Sequence, residues 1–157
     1  MAEKIDLNTL PKGLTKEEFT ALPNFKKIRS FFTWAGVVSI GSGILICSEI
    51  GKTAESVFQA GGSYDDMSRL WAVKLNMLFM IFDIVMGILL LKKKTTKMAY
   101  ILAITELVYI VLVLVLGGTI GIGAIAFLLA LAGAIRIDKK WKQYQEISGG
   151  SNQLNHT

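Results

Sequence analysis

LWAVKLNMLFMIFDIVMGILLLKKKTTKMAYILAITELVYIVLVLVL, residues 70–116, is the stretch whose reading decides the fold. Two apolar runs, Leu70 to Leu91 and Met98 to Leu116, are separated by a loop carrying Lys92, Lys93, Lys94 and Lys97. Each run is near the ~20 residues that a helix needs to cross a hydrocarbon core of about 30 Å. A loop this short turns the second helix back beside the first. Working outward, Phe31 to Ile50 and Ile120 to Ile137 repeat the pattern on either side. The expected fold is therefore an all-α integral membrane four-helix bundle of two antiparallel hairpins. Its spans run over about 31–50, 70–91, 98–116 and 120–137. A cytoplasmic N-terminal arm, 1–30, precedes this domain, 31–137, and a cytoplasmic extension with a disordered tail, 138–157, comes after it.

Composition agrees with a lipid environment. The chain has 157 residues, of which 52% are hydrophobic, and a mean hydropathy of +0.50 is hard to reconcile with a soluble globule. The formal net charge of +5 does not point to nucleic acid, because the lysines flank the apolar runs instead of alternating with aromatic residues along a stripe. Cys47 is the only cysteine, so no disulfide framework or cysteine-based metal site is available, and it reads as a small packing residue. The first thirty residues are polar and lack the apolar core of a signal peptide, so the first span is expected to act as an uncleaved anchor. Lysine outnumbers arginine, which occurs only at Arg29, Arg69 and Arg136; that fits an AT-rich bacterial genome.

Positive charge in short loops sets the orientation of membrane helices. Lys26, Lys27 and Arg29 precede span one, the lysine loop joins spans two and three, and Arg136, Lys139, Lys140 and Lys142 come at or after the end of span four. With four crossings, all three clusters fall on one side, so both termini are expected to be cytoplasmic, against anionic lipid headgroups. On the other side lie a loop from Gly51 to Arg69 and an uncharged turn at Gly117, Gly118 and Thr119. Trp34, Trp71 and Trp141 fall near span ends, where aromatic belts form. In the arm, Thr15 and Glu18 form a capping-box pattern with Leu14 and Phe19 as its staple, so a short helix should start there and stop before Pro23. After span four, Ile137, Trp141 and Tyr144 recur at helical spacing, which suggests an aromatic face turned toward lipid.

The segments Leu10-Pro11-Lys12-Gly13-Leu14-Thr15-Lys16-Glu17-Glu18-Phe19 and Ile137-Asp138-Lys139-Lys140-Trp141-Lys142-Gln143-Tyr144 resemble uncharacterised small four-span membrane proteins of low-GC Gram-positive bacteria. The resemblance implies four helices in a bacterial plasma membrane and carries over no functional residue.

Helices in lipid meet where small residues let backbones approach. Span one offers Gly36, Ser39, Gly43 and Cys47, and span four offers Ala126, Ala130 and Ala134 with Gly133 beside them. These rows serve either packing within the chain or a homo-oligomer.

Asp83 and Glu106 are the candidate functional residues, because a carboxyl in mid-span is costly and normally faces a partner, a cavity or a pathway. Asp83 stands nine residues before Lys92 and Glu106 nine after Lys97, so both lie roughly 13 Å from the same charged belt. Two facing carboxyl groups cannot easily both ionise at low dielectric, and a proton or cation between them is one outcome. Asn76 shares the face of Asp83, and Thr105 and Tyr109 (with Tyr100) add polar groups to span three. Hydrogen-bonded structural glue, an ion or proton site, and a contact for a partner's transmembrane helix all stay open.

Thr119-Ile120-Gly121-Ile122-Gly123 has the spacing of a potassium-channel filter but no pore helix before it, so a glycine-rich outer turn with close packing is the better account. His156, the only histidine, lies in the tail, where the Asn155-His156-Thr157 sequon would go unused, and no metal-ligand cluster, nucleophile motif or phosphate loop occurs. Neither an enzyme nor a cofactor is expected. The two functional expectations are a non-enzymatic protein that binds a membrane partner, as an accessory subunit or immunity-type protector would, and a small proton- or cation-linked channel or transporter.

Overall fold

The computed structural model describes residues 7–115 and 121–153, and every regular element within them is a helix. After a 3₁₀ turn at Leu7–Thr9 come α1 (Lys16–Ala21) and a second 3₁₀ turn at Pro23–Phe25. The long elements are α2 (Lys26–Gln59), α4 (Trp71–Lys93), α5 (Thr96–Val115) and α6 (Gly123–Gln153), with the short α3 (Tyr64–Arg69) between α2 and α4. The helices α2, α4 and α5 are long and apolar enough to cross a membrane. In α6 the described apolar run ends at Ile135, because Arg136, Asp138, Lys139 and Lys140 come next; from Gly123 it is roughly 20 Å long. Residues 116–120, which hold the expected outer turn and the start of span four, lie outside the described residues. Trp34, Ile44, Leu78, Ile104 and Leu128 are all well exposed, a surface suited to hydrocarbon and not to water.

The four long helices are neighbours in the order α2, α4, α5, α6, and α6 returns to α2. The α4–α5 seam is the least extensive of the four. The closest approach is between α2 and α4. A Cβ on Gly36 would lie 2.8 Å from the carbonyl oxygen of Gly87, and one on Gly87 would lie 2.7 Å from that of Gly36. Gly43 is equally confined by Ile84 and the Met80 carbonyl, while Gly133 of α6 lies against Phe31 and Phe32. Ala126, Ala130 and Ala134 are fully buried, and the last two join Phe32, Met86, Leu90 and Leu102 in the main core. Cys47 departs from the expected packing row and is exposed. A four-residue step advances about 40° beyond one turn, so the row winds away and Ile46 takes the inward place.

At the far end from Gly123, the arm folds onto α6. The capping box forms, with the Thr15 amide donating to Glu18 Oε2 at 2.8 Å and the Glu18 amide to Thr15 Oγ1 at 3.3 Å. Pro23 comes soon after, and α1 stops at Ala21. Phe19 is fully buried among Phe25, Trp141 and Tyr144, with ring centroids 4.4, 5.2 and 5.2 Å away. The Tyr144 hydroxyl donates to the Pro11 carbonyl at 2.7 Å and accepts from the Leu14 amide at 3.1 Å. Lys16 pairs with Asp138 at 2.7 Å, and Tyr100 of α5 donates to the same carboxylate at 2.9 Å. Of the stripe Ile137, Trp141 and Tyr144, the two aromatic rings therefore face the chain's own arm and Ile137 the bundle core, not lipid. Apolar periodicity marks a covered face without saying what covers it. The helix also runs on to Gln153, past Ser148, where the sequence suggests a disordered tail; 154–157, including His156, lie outside the described residues. Arg136 sits 4.5 Å over the Phe31 ring, which brings the third basic cluster to the end of the molecule that holds the first.

The expected outer loop is mostly helical. Beyond Ile50, α2 is sustained by the Lys52–Glu49 pair at 2.7 Å, the Gln59–Glu55 bond at 3.1 Å, and hydroxyls of Thr53 and Ser56 bonded to carbonyls four residues back. No proline interrupts it. The chain reverses at Gly61, whose φ of +78° lies in the left-handed region that favours glycine. Ser63 and Asp66 then cap α3 with a second capping box.

Two measurements test this packing. Gly87→Ala should cost about 1–3 kcal/mol in thermal or denaturant unfolding of the detergent-solubilised chain. Gly51→Ala, where an added Cβ meets nothing within 4 Å, should instead add about 0.5–1 kcal/mol. Equal effects would remove the close α2–α4 approach. The arm should also respond to acid. The Thr15 backbone and side-chain hydrogen bonds hold the Glu18 carboxyl below its ordinary 4.5. A lowered folded value means that the cap contributes above the unfolded value and is lost as pH falls through the folded one. Amide exchange over residues 15–21 should therefore rise as pH falls from above 4.5 through the lowered folded value, after correction for intrinsic rates. Glu18→Gln, which can still accept the Thr15 bonds, should flatten that dependence.

Candidate functional site

Asp83 and Glu106 come from neighbouring helices, α4 and α5, and each is 1% exposed. They are close enough for the charge of Asp83 to act on Glu106. Around them every long helix contributes. From α2, the Ser39 hydroxyl donates to the Asp83 carbonyl at 2.9 Å, and Ser42 stands near the Asp83 carboxyl. From α6, Gly123 presents its bare backbone to the Glu106 carboxyl. A Cβ there would fall on Oε2. Gly123 thus supplies the expected close packing, at the start of α6, whereas Gly121 of the same motif has open space around it.

The other predicted polar residues divide. Tyr109, half-buried and one turn beyond Glu106, lies near enough to feel both acids. Its ring packs on Phe79 with centroids 4.5 Å apart, and its hydroxyl donates to Asn76 Oδ1 at 3.5 Å, the long limit of a hydrogen bond. Asn76 therefore belongs to the cluster through Tyr109. Thr105 is half-buried, about 100° around α5 from Glu106, and no described hydrogen bond joins it to either acid. Tyr100 sits at the other end of α5 with Asp138. Ser42, Gly87 and Gly123 are the contributors that the spacing of small residues alone did not single out. A hydroxyl three residues after Ser39, on the face that also carries Gly43, is the signal that marks Ser42.

Hydrogen bonding is incomplete at the centre. Among the described residues, Asp83 Oδ2 and both carboxyl oxygens of Glu106 are buried without a hydrogen-bond partner. Native interiors rarely leave such atoms unmatched, because each carries a desolvation cost of about 1–3 kcal/mol or more. Chemically, the arrangement is a cluster of two carboxyls with the Ser42 hydroxyl nearby in an apolar interior. It is suited to holding a proton or a small cation, and no described group of three or more His, Cys, Asp or Glu residues could hold a metal ion. No family profile, curated protein or solved structure matches this chain.

If Glu106 rests on Gly123, Gly123→Ala should destabilise the natural chain by about 1–3 kcal/mol and much less in a Glu106→Ala background. A double-mutant cycle read by thermal unfolding measures that coupling. Strict additivity would mean that the two groups do not touch.

Proposed function

We propose that this chain is a four-helix integral membrane protein whose buried acid pair, Asp83 and Glu106, takes up a proton or small monovalent cation, and that it works as a small proton- or cation-linked membrane protein. The observation that carries this reading is the convergence of three unpartnered carboxyl oxygens where α2, α4, α5 and α6 meet. A purely structural pair would satisfy its own hydrogen bonds. These atoms have capacity to spare for a guest that donates a hydrogen bond or carries positive charge. The α4–α5 seam, the least extensive of the ring, lies between the two acids and is the natural place for the pair to open.

In this reading α6 is the fourth span, completed by the residues before Gly123, and the protein crosses a bacterial plasma membrane with both termini on the cytoplasmic side. The basic clusters support that orientation. Arg29 and the lysine loop line one cleft, and Arg136 lies on Phe31 at the same end. Seven or so helical turns would then separate this end from α3.

A second reading, a non-enzymatic protein that binds a membrane partner, has its own support at the opposite end. There the end of α2, α3 and the start of α4 project Phe58, Tyr64, Leu70 and Trp71 outward, all at least 41% exposed. The two readings separate in reconstituted vesicles loaded with a pH-sensitive dye and given an imposed membrane potential. The natural protein should conduct protons or monovalent cations, and Asp83→Asn and Glu106→Gln should each return the flux to that of protein-free vesicles. No flux, or flux indifferent to both changes, would defeat the transport reading.

A further inference from the structure

A cleft of about 350 Å³ opens at the basic end, between the arm, the start of α2 and the α4–α5 connection. Lys16, Arg29, Lys93, Lys94 and Lys97 line it, against the single acid Glu17. Lys16 is already committed to Asp138 at 2.7 Å. Arg29, Lys93, Lys94 and Lys97 have no ion pair among the described residues, so four like charges surround one cavity with Glu17 as the one acid lining it. Such crowding is unfavourable by itself and becomes favourable when an anion enters.

The end of α5 adds an independent argument. A helix start carries positive potential and unpaired amides and is ordinarily complemented by an acidic first turn. The first turn of α5 has no acid and carries Lys97 instead. The Thr95 side chain accepts from the Met98 amide at 3.4 Å, and the Thr95 carbonyl accepts from the Ala99 amide at 3.1 Å. The amides of Thr96 and Lys97 are left without an acceptor among the described residues, and both residues line the cleft. Lysines at the end of α4 are favourably placed for the α4 dipole. Lys97 is not, unless something negative stands before it.

The cleft is also built, not merely a run of loop charges. Docking of Phe19 among Phe25, Trp141 and Tyr144 holds α1 in place as its wall, and Lys94 adopts a left-handed backbone, φ 47°, as the chain turns from α4 to α5.

We infer that this cleft binds a phosphate-bearing anion, with Arg29, Lys94 and Lys97 as the principal contacts and the α5 N-terminus as the amide donor. Arginine offers a planar fork to phosphate oxygens, and lysines supply point charge around it. The phosphate can belong to an anionic phospholipid headgroup or to a soluble phosphorylated molecule. The site does not involve Asp83 or Glu106, so failure of either proposal leaves the other standing.

The test uses the full chain in a zwitterionic detergent with three probes at equal ionic strength: dihexanoyl phosphatidic acid, glycerol 3-phosphate and inorganic phosphate. Binding is followed by isothermal calorimetry and by the shift in unfolding temperature. Arg29→Gln, Lys94→Gln and Lys97→Gln together should weaken binding at least about tenfold. Lys139→Gln, Lys140→Gln and Lys142→Gln, which remove the same charge outside the cleft, should leave it within about twofold. Should the cleft triple variant fail to fold, Lys97→Gln alone, at an exposed position, should still weaken binding several-fold. Saturable binding of the short-chain lipid alone supports the headgroup source, and equal binding of all three probes supports a soluble phosphate. No saturable binding of any probe, or equal losses in the two triple variants, overturns the proposal.

Discussion

The approach of the α2 and α4 backbones at Gly36 and Gly87 is the constraint on which the interior depends. Neither position has room for even a methyl group, and the two backbones meet there in direct van der Waals contact. The crossing also fixes the contacts further along both helices. One turn beyond Gly36, Ser39 reaches the backbone of Asp83, and Ser42 stands near its carboxyl. Moved apart by a side chain at Gly87, the two helices would strand a carboxyl that only α2 solvates. A contact between two residues without side chains thus decides whether a costly acid can be accommodated.

The arrangement separates two electrostatic regimes. In the interior, acids are few, close together and incompletely hydrogen-bonded, so their ionisation is tied to whatever can reach them. At one end, cations are many and bordered by water or headgroups, where solvent screens their repulsion. The interior acids lie about 13 Å from that basic belt along the helices, too far for contact but within the reach of a poorly screened field.

Much of the architecture is legible in the sequence because long apolar runs and local capping chemistry mark helices directly. The apolar run 70–91 becomes α4, Trp71–Lys93, and the run 98–116 becomes α5, Thr96–Val115. Thr15, Glu18 and Pro23 delimit α1 because capping and the loss of an amide are local chemistry. The depth of Asp83 and Glu106 comes from counting residues to two lysines. Direction is what the sequence leaves open. An apolar stripe marks a covered face without naming its cover, so the sequence alone does not place Trp141 and Tyr144, and only the arm's arrival decides it. Likewise Gly51 suggests the end of a span, yet local ion pairs and hydrogen bonds carry α2 to Gln59. Ser42 and Gly123 acquire their roles from partners more than forty and fifteen residues away, Asp83 and Glu106, which no local pattern encodes.

The Tyr144 hydroxyl binds two residues of the arm, Leu14 and Pro11, that lie 130 and 133 positions before it. During synthesis the arm therefore has nothing to dock on until α6 has emerged. The other helices must meet with the arm still free, and its closure waits on α6. Until then Phe19 and Phe25 lack the cover that Trp141 and Tyr144 give them and stand as an exposed apolar patch.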